Sequence, residues 1–166
     1  MINPDDLSAA LRPRYDAFCR ISNSASFQVL VYCGKRSDEE QAILFRNGRK
    51  MALIKATATD LEKKWRRPDL AHILLSAPPQ MGKVIKTWAA PGQSAHNYGM
   101  AFDGVPKHCG KLIWDDKTPE GLALWVRYGE LIESIGLEWA GRWARKKREF
   151  PHAQVRGFDW RELISG

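Results

Sequence analysis

Apolar residues recur at intervals of three or four along the first twenty positions, which is the spacing of one face of a helix. A capping residue, Asn3, precedes Pro4 and two acidic residues, which favour the start of a helix. The pattern predicts a helix over 4–21. Its apolar face consists of Leu7, Leu11, Tyr15, Phe18 and Ile21.

Short runs of β-branched and aromatic residues predict strands. The run FQVLVY at 27–32 predicts a buried strand that ends at Gly34. A second short strand is predicted around Asp103, which apolar residues flank on both sides. The segment 137–155 alternates aromatic, glycine and basic residues and predicts a hairpin or strand pair.

Two further helices have clear boundaries. Ser37 and Glu40 have the spacing of a capping box, and the helix that follows is predicted to reach about Asn47 and stop at Gly48. The segment 118–135 carries an apolar stripe that Gly136 closes. The stripe is Leu122, Trp125, Val126, Gly129 and Ile132.

The remaining segments are less regular. Residues 50–66 are helix-prone, whereas 68–92 is rich in proline and glycine and predicts an excursion of strand and loop. Helices interspersed with short strands indicate an α+β fold, a small antiparallel sheet with helices packed on it. The length of 166 residues, without a repeat or linker, predicts a single domain over 1–166.

The charge and the cysteines indicate possible binding partners and the compartment in which the protein is made. The net charge is +7 and the isoelectric point about 9.5, so nucleic acid, anionic lipid and the acidic polymers of a bacterial envelope are all possible partners. The basic runs are interpreted as solvated surface. The three cysteines form no close pair and predict thiols made in a reducing compartment. We expect no signal peptide and no membrane span.

The segment from Gln93 to Asp103 carries the most chemical information. A catalytic zinc site uses three nitrogen or oxygen ligands and an open position. His96 and Asp103 lie seven residues apart, a spacing that suits a turn at Gly99 leading into a strand. A third ligand must come from elsewhere in the chain, and His152 follows the stiff residue Pro151.

Glu149 lies three residues before His152 and offers a carboxylate near the same metal. Such a base takes the proton of water during attack on an amide carbonyl, while the metal polarises that carbonyl. Taken singly, each of these residues also fits an ordinary structural role. Only their combination points to hydrolysis.

Residues 94–103 resemble a family motif. They match the pattern S-x-H-x-x-G-x-A-x-D of the D-Ala-D-Ala carboxypeptidases and phage L-alanyl-D-glutamate endopeptidases, whose fold is shared with the hedgehog signalling domain. The resemblance covers about 29–155. It implies a hedgehog/DD-peptidase-like zinc peptidase in which His96, Asp103 and His152 bind Zn²⁺ and Glu149 is the catalytic base.

Two further blocks extend this resemblance. The block from Gly34 through Gly48-Arg49 is similar to the family segment G-x-R-S…Q…L…GR, which implies that Arg36 binds substrate or transition-state oxygen. The run LEWAGRW at 137–143 is similar to G-x-E-W-G-G-x-W of the phage endopeptidases, with Ala140 where glycine is usual. It favours the L-Ala-D-Glu bond as the target.

The sequence leaves the roles of three further residues open. Ser94 either hydrogen-bonds substrate or caps the turn before His96. Trp139 and Trp143 either line the substrate cleft or belong to the core, and we expect one of them to be core. Ser94 and Trp139 are therefore candidate substrate-binding residues.

The sequence thus predicts a zinc-dependent peptidoglycan peptidase, the lysis enzyme of a bacteriophage. We expect a monomer that binds the peptide stem, without specific nucleic-acid binding and without a separate wall-binding domain. It would be made in the host cytoplasm and act in the periplasm after another protein permeabilises the membrane. The alternatives are a D,D- or L,D-carboxypeptidase with the same metal site, a zinc-fold binding protein without catalysis, and a basic nucleic-acid-binding domain.

Overall fold

The structure is a computed structural model, and it describes residues 2–23, 27–79, 82 and 84–165. The α-helices among them are α1 (Arg12–Asn23), α2 (Asp38–Arg46), α3 (Met51–Lys63), α4 (Pro68–Ser76), α5 (Pro119–Ser134) and α6 (Arg161–Ile164). The strands are β1 (Gln28–Cys33), β2 (Ala101–His108), β3 (Lys111–Leu112), β4 (Leu137–Trp139) and β5 (His152–Val155). The predicted α+β class is confirmed.

The chain forms two compact units. The first comprises 1–35 and 99–158, and the second comprises 36–98 and 159–166. The first holds the sheet, whose strand order is β1-β2-β5-β4 with β3 paired to β2. The pairings are antiparallel, as the sequence predicted.

Aromatic side chains fill the core of the first unit. The ring of Phe18 in α1 lies 5.3 Å from that of Phe102 in β2 and 6.0 Å from that of Tyr128 in α5. All three side chains are buried. The predicted helix over 118–135 is confirmed as α5, which Thr118 caps by accepting a hydrogen bond from the backbone of Gly121. This core fixes β2, the strand that carries Asp103.

The predicted helix over 4–21 is wrong in its first half. Residues Pro4–Asp6 form a 3₁₀ turn, and the α-helix begins only at Arg12. Pro13 explains the break, because proline has no N–H to donate and is tolerated only in the first turn of a helix. Instead, the backbone of Ser8 donates to the carbonyl of Gly99 at 2.9 Å.

Strand β1 lies at an edge of the sheet and is not buried on both sides, which corrects the prediction. Leu30 and Tyr32 are exposed, whereas Val29 and Val31 pack on the core of the first unit. An edge strand with one covered face shows this alternation. The apolar run 27–32 gave no indication of this alternation, because residues on both faces of the strand are apolar.

The second unit packs α2, α3 and α4 around its own apolar cluster. The capping box at Ser37 and Glu40 is present, and α2 ends at Arg46 as predicted, with Gly48 at a φ of 68°. The buried guanidinium of Arg46 donates to the carbonyls of Leu74 and Leu75, which end α4. It satisfies acceptors that a helix C-terminus leaves without partners.

Helix α4 corrects the prediction of strand and loop over 68–92. Pro68 is its first residue, a position that proline favours. Leu70, Ala71 and Leu74 are buried at helical spacing. The proline and glycine content of the later part, 77–92, obscured this short helix. No helix among the described residues has the length and apolar character needed to cross a membrane.

Trp139 is packed against two glycines of the first unit. A Cβ added to Gly129 would lie 2.0 Å from Cε3 of Trp139, and one added to Gly141 would lie 2.1 Å from Cζ2. The indole is held in place because its Nε1 donates to the carbonyl of Phe150 at 2.8 Å. Close approach of this ring requires glycine on both sides.

Gly129→Ala is therefore expected to lower the free energy of unfolding by about 3 kcal/mol, the usual cost of an overpacked core. Alanine gains about 1 kcal/mol in helix propensity, and the steric overlap exceeds this gain. Urea unfolding followed by tryptophan fluorescence measures the difference. Glu130→Ala, on the exposed side of the same helix, should change stability by no more than about 0.5 kcal/mol. Equal stabilities of the two variants would contradict the packing.

Candidate metal centre and active site

Three side chains that bear metal-ligand chemistry form one row across the sheet. Cys33 in β1 is the register partner of Asp103 in β2, and Asp103 is also the register partner of His152 in β5. Directly opposed residues of antiparallel strands place their side chains about 5 Å apart on the same face. The sheet thus brings together residues that are 119 positions apart in the sequence.

Asp103 and His152 are in direct contact. The Nδ1 atom of His152 lies 3.2 Å from Oδ1 of Asp103, and the imidazole is buried. On the other side of the ring, Nε2 donates to Oε1 of Gln154 at 3.0 Å. A proton on Nε2 leaves the lone pair of Nδ1 directed towards Asp103 and available to a metal.

His96 lies in the 3₁₀ turn Ala95–Tyr98 and is buried. Its backbone N–H donates to Oγ of Ser94 at 3.4 Å, and its carbonyl accepts from the backbone of Arg36 at 3.0 Å. Gly99 follows with a φ of 64°, and a Cβ there would lie 2.6 Å from the carbonyl oxygen of Asp6. The predicted turn at Gly99, leading into the strand of Asp103, is confirmed.

The donor set suits a zinc ion. Ligand atoms of Cys33 and Asp103 lie within 4.8 Å of each other. Two ligands about 2.1 Å from zinc in a tetrahedral arrangement lie roughly 3.4 Å apart, close to the 3.2 Å between His152 and Asp103. Imidazole, carboxylate and thiolate are all common ligands of zinc.

Glu149 and His152 belong to one tight turn. The backbone N–H of His152 donates to the carbonyl of Glu149 at 3.3 Å, and that of Glu149 donates to Ala140 at 3.4 Å. The residue Glu149 is exposed, beside the buried His152. A general base in this position is accessible to water.

Hydrogen bonds from the core to the carbonyl of Pro151 hold this turn in place. Its carbonyl accepts from the hydroxyl of Tyr128 at 2.8 Å and from the backbone of Gly104 at 3.1 Å. Burial, with the negative charge of Asp103 second, raises the pKa of Tyr128 well above its usual value. Its phenol therefore stays protonated and remains a donor throughout the physiological pH range.

Arg36 is held by the buried Gln41. The guanidinium donates to Oε1 of Gln41 at 2.7 Å. The amide nitrogen of Gln41 donates in turn to the carbonyl of Ala89 at 2.7 Å, which fixes the orientation of the amide. One face of a half-buried cation is thereby oriented before any ligand binds.

Comparisons with known proteins found similar sequences. A family model described as D-alanyl-D-alanine carboxypeptidase, in the M15 peptidase family, matches residues 88–155, which include His96, Asp103, Glu149 and His152. The peptidoglycan L-alanyl-D-glutamate endopeptidase CwlK of Bacillus subtilis is 28% identical over 156 residues, which cover 92% of this chain and 75% of CwlK. The sequence is thus similar to the M15 peptidases, and these similarities indicate a zinc metallopeptidase.

Two solved structures of peptidases also align with the chain. The L-Ala D-Glu endopeptidase ChiX of Serratia marcescens gives a TM-score of 0.46 at 17% identity, over 98% of this chain and 87% of ChiX. The D,D-pentapeptidase VanY of a VanB-type vancomycin resistance cassette, solved with Zn(II), gives a TM-score of 0.49 at 15% identity, over 96% and 78%.

Ser94 and Trp139, the two candidate substrate-binding residues, both make structural contacts. Trp139 is 2% exposed and lies in the core, because its ring fills the space above Gly129 and Gly141. Ser94 is buried, and its Oγ accepts a hydrogen bond from the backbone N–H of His96. The ring of Trp143, by contrast, lies 5.6 Å from that of His152 and is only half-buried.

Sequence reasoning missed Cys33, Gln154 and Tyr128 as neighbours of Asp103, His152 and Pro151. Gln154 follows His152 by two residues, so period-2 alternation in a strand was a signal that both side chains share a face. Cys33 had no such signal, since its position depends on the register of β1 against β2. Tyr128 had only its place on the apolar stripe of α5.

Replacing Gln154 by alanine is expected to weaken zinc binding roughly 10- to 100-fold, the usual effect of losing a partner that orients a ligand histidine. Gln154→Glu, which keeps an acceptor for Nε2–H, should retain most of the affinity. Competition with a chromophoric chelator measures both constants. Equal losses in the two variants would show that Gln154 does not act through the tautomer of His152.

Proposed function

We propose that this protein is a zinc peptidase of the M15 type that hydrolyses the L-Ala-D-Glu bond of peptidoglycan peptide stems. The observation that carries the proposal is the similarity to CwlK, which extends over 92% of the chain. The run LEWAGRW at 137–143 supports the same substrate, through its resemblance to the phage endopeptidases. The proposed ligands of Zn²⁺ are His96, Asp103 and His152.

The chemistry divides between the metal and the protein side chains. A zinc ion in this site supplies Lewis acidity towards the scissile carbonyl and makes water more acidic. The carboxylate of Glu149 accepts the proton of the attacking water and returns it to the departing amine. Its exposure beside His152 suits both transfers.

Arg36 stabilises the negative charge that develops on the carbonyl oxygen. Its link to Gln41 orients the guanidinium in advance, so little reorganisation is needed when the charge forms. A preorganised donor of this kind contributes about 3 kcal/mol to lowering a barrier of this type. The buried environment of Gln41 keeps this donor in one geometry.

The second candidate is a D,D- or L,D-carboxypeptidase, which the description of the family model favours. The same ligands and base serve both reactions, so the products distinguish them. Mass spectrometry of muropeptides digested by the purified enzyme should show separation of L-alanine from D-glutamate, lost with a chelator and restored by Zn²⁺. Release of free D-alanine would support the carboxypeptidase, and full activity after exhaustive chelation would exclude both.

We further propose that the enzyme serves bacteriophage lysis. It would be made in the host cytoplasm and reach the periplasm after another protein permeabilises the membrane. The net charge of +7 suits an anionic envelope. Added protein should clear a suspension of Gram-negative cells whose outer membrane has been permeabilised, and Glu149→Gln should not. Equal clearing by the two proteins would oppose an enzymatic lysis function.

A further inference from the structure

We propose that the thiol of Cys33 is a fourth ligand of the metal held by His96, Asp103 and His152. The inference rests on the metal site of the proposed function. It adds a sulfur ligand to a set that the family resemblance limits to two histidines and one aspartate.

A bulge in β1 brings Cys33 to this position. From Gln28 to Val31 each residue pairs with its partner in regular antiparallel register, in which Tyr32 would be opposite Asp103. The register then shifts by one residue, so that Cys33 faces Asp103. Bulges of this type re-aim side chains and are frequent next to active sites. Tyr32 stays exposed, and its ring lies 5.7 Å from that of Trp114.

The distances are compatible with a shared ion. Sγ of Cys33 and a carboxylate oxygen of Asp103 lie within 4.8 Å of each other. Sulfur and oxygen ligands of one zinc ion, about 2.3 and 2.1 Å from the metal, lie roughly 3.6 Å apart. A movement of the two side chains by about 1 Å towards each other therefore suffices for both to bind one zinc ion. The sulfur donates a long hydrogen bond of 3.8 Å to the carbonyl of Gly34.

The chemistry favours sulfur coordination. Thiolate is a soft ligand that zinc binds strongly, and Cys33 is a thiol rather than half of a disulfide. Zinc expands to five-coordinate in catalysis, so four protein ligands still admit substrate. The other cysteines provide matched controls. Cys19 packs against the core of the first unit, and Cys109 is exposed in the turn after β2.

Cobalt substitution tests the proposal, because Co²⁺ bound to thiolate absorbs in the near ultraviolet by sulfur-to-metal charge transfer. We expect this band in the Co²⁺-loaded wild type, in Cys19→Ser and in Cys109→Ser. It should be absent from Cys33→Ser and Cys33→Ala, which keep the visible d–d bands of bound cobalt. Both Cys33→Ser and Cys33→Ala are measured, so that misfolding of one variant still leaves the other as a test. Circular dichroism detects such misfolding.

The outcomes separate this proposal from the proposed function. A wild-type spectrum with d–d bands but without the sulfur band overturns sulfur ligation and leaves the peptidase site intact. A wild type that binds no Co²⁺ overturns the metal site itself. Zinc affinity gives a second measure, and we expect Cys33→Ser to lose at least 10-fold. A band that persists in both Cys33 variants would also overturn the assignment.

Discussion

Glu149→Gln is expected to remove hydrolysis almost completely while the protein keeps its fold and its zinc. The amide has nearly the shape of the carboxylate but cannot accept the proton of water. Loss of a general base typically lowers the rate about 10²- to 10⁴-fold. Since Glu149 is exposed and its main chain makes the hydrogen bonds of the turn, the substitution leaves His152 in place.

The rate of muropeptide cleavage and the zinc content should be measured on the same preparation. Glu130→Gln, an exposed carboxylate in α5, is the matched control and should retain full activity. Activity of Glu149→Gln within 10-fold of the control would remove Glu149 from the role of base. Loss of zinc together with activity would assign it to the metal site instead.

Asp103→Asn is expected to abolish both zinc retention and hydrolysis. Asp103 is the central residue of the row, since Cys33 and His152 are its register partners on either side. The amide of asparagine has nearly the same volume as the carboxylate but lacks the negative charge that neutralises part of the metal's positive charge. We expect a loss of zinc affinity of at least about 100-fold, the upper end of the loss seen when only an orienting partner is removed.

The control for this substitution is Asp116→Asn, at an exposed carboxylate in the loop before α5. It should bind zinc as the wild type does. Isothermal titration with Zn²⁺ gives both constants, and circular dichroism establishes that the variants are folded. Tight zinc binding by Asp103→Asn would show that the carboxylate is not a ligand.

Local signals predicted many of the elements that surround the site. The capping box at Ser37 and the apolar stripe of α5 specify helices through contacts within a few residues, and both are present. Gly99 was predicted as a turn, and its positive φ beside the backbone of Asp6 gives the physical reason. These features do not depend on the rest of the fold.

Features that depend on distant contacts were missed or misassigned. Exposure of Leu30 and Tyr32 follows from the edge position of β1 in the sheet. The burial of Trp139 depends on the close approach of its ring to two glycines that are distant from each other in the sequence, Gly129 and Gly141. The position of Cys33 depends on a one-residue shift between two strands that are some 70 residues apart in the chain, which apolar spacing does not encode.

The most direct test of the central claim is anomalous X-ray diffraction at the zinc edge from crystals of the zinc-loaded protein. We predict one strong peak per chain, about 2.0 to 2.2 Å from ligand atoms of His96, Asp103 and His152. A zinc peak away from these three side chains, or zinc-loaded crystals without a peak beside Asp103, would contradict the peptidase site.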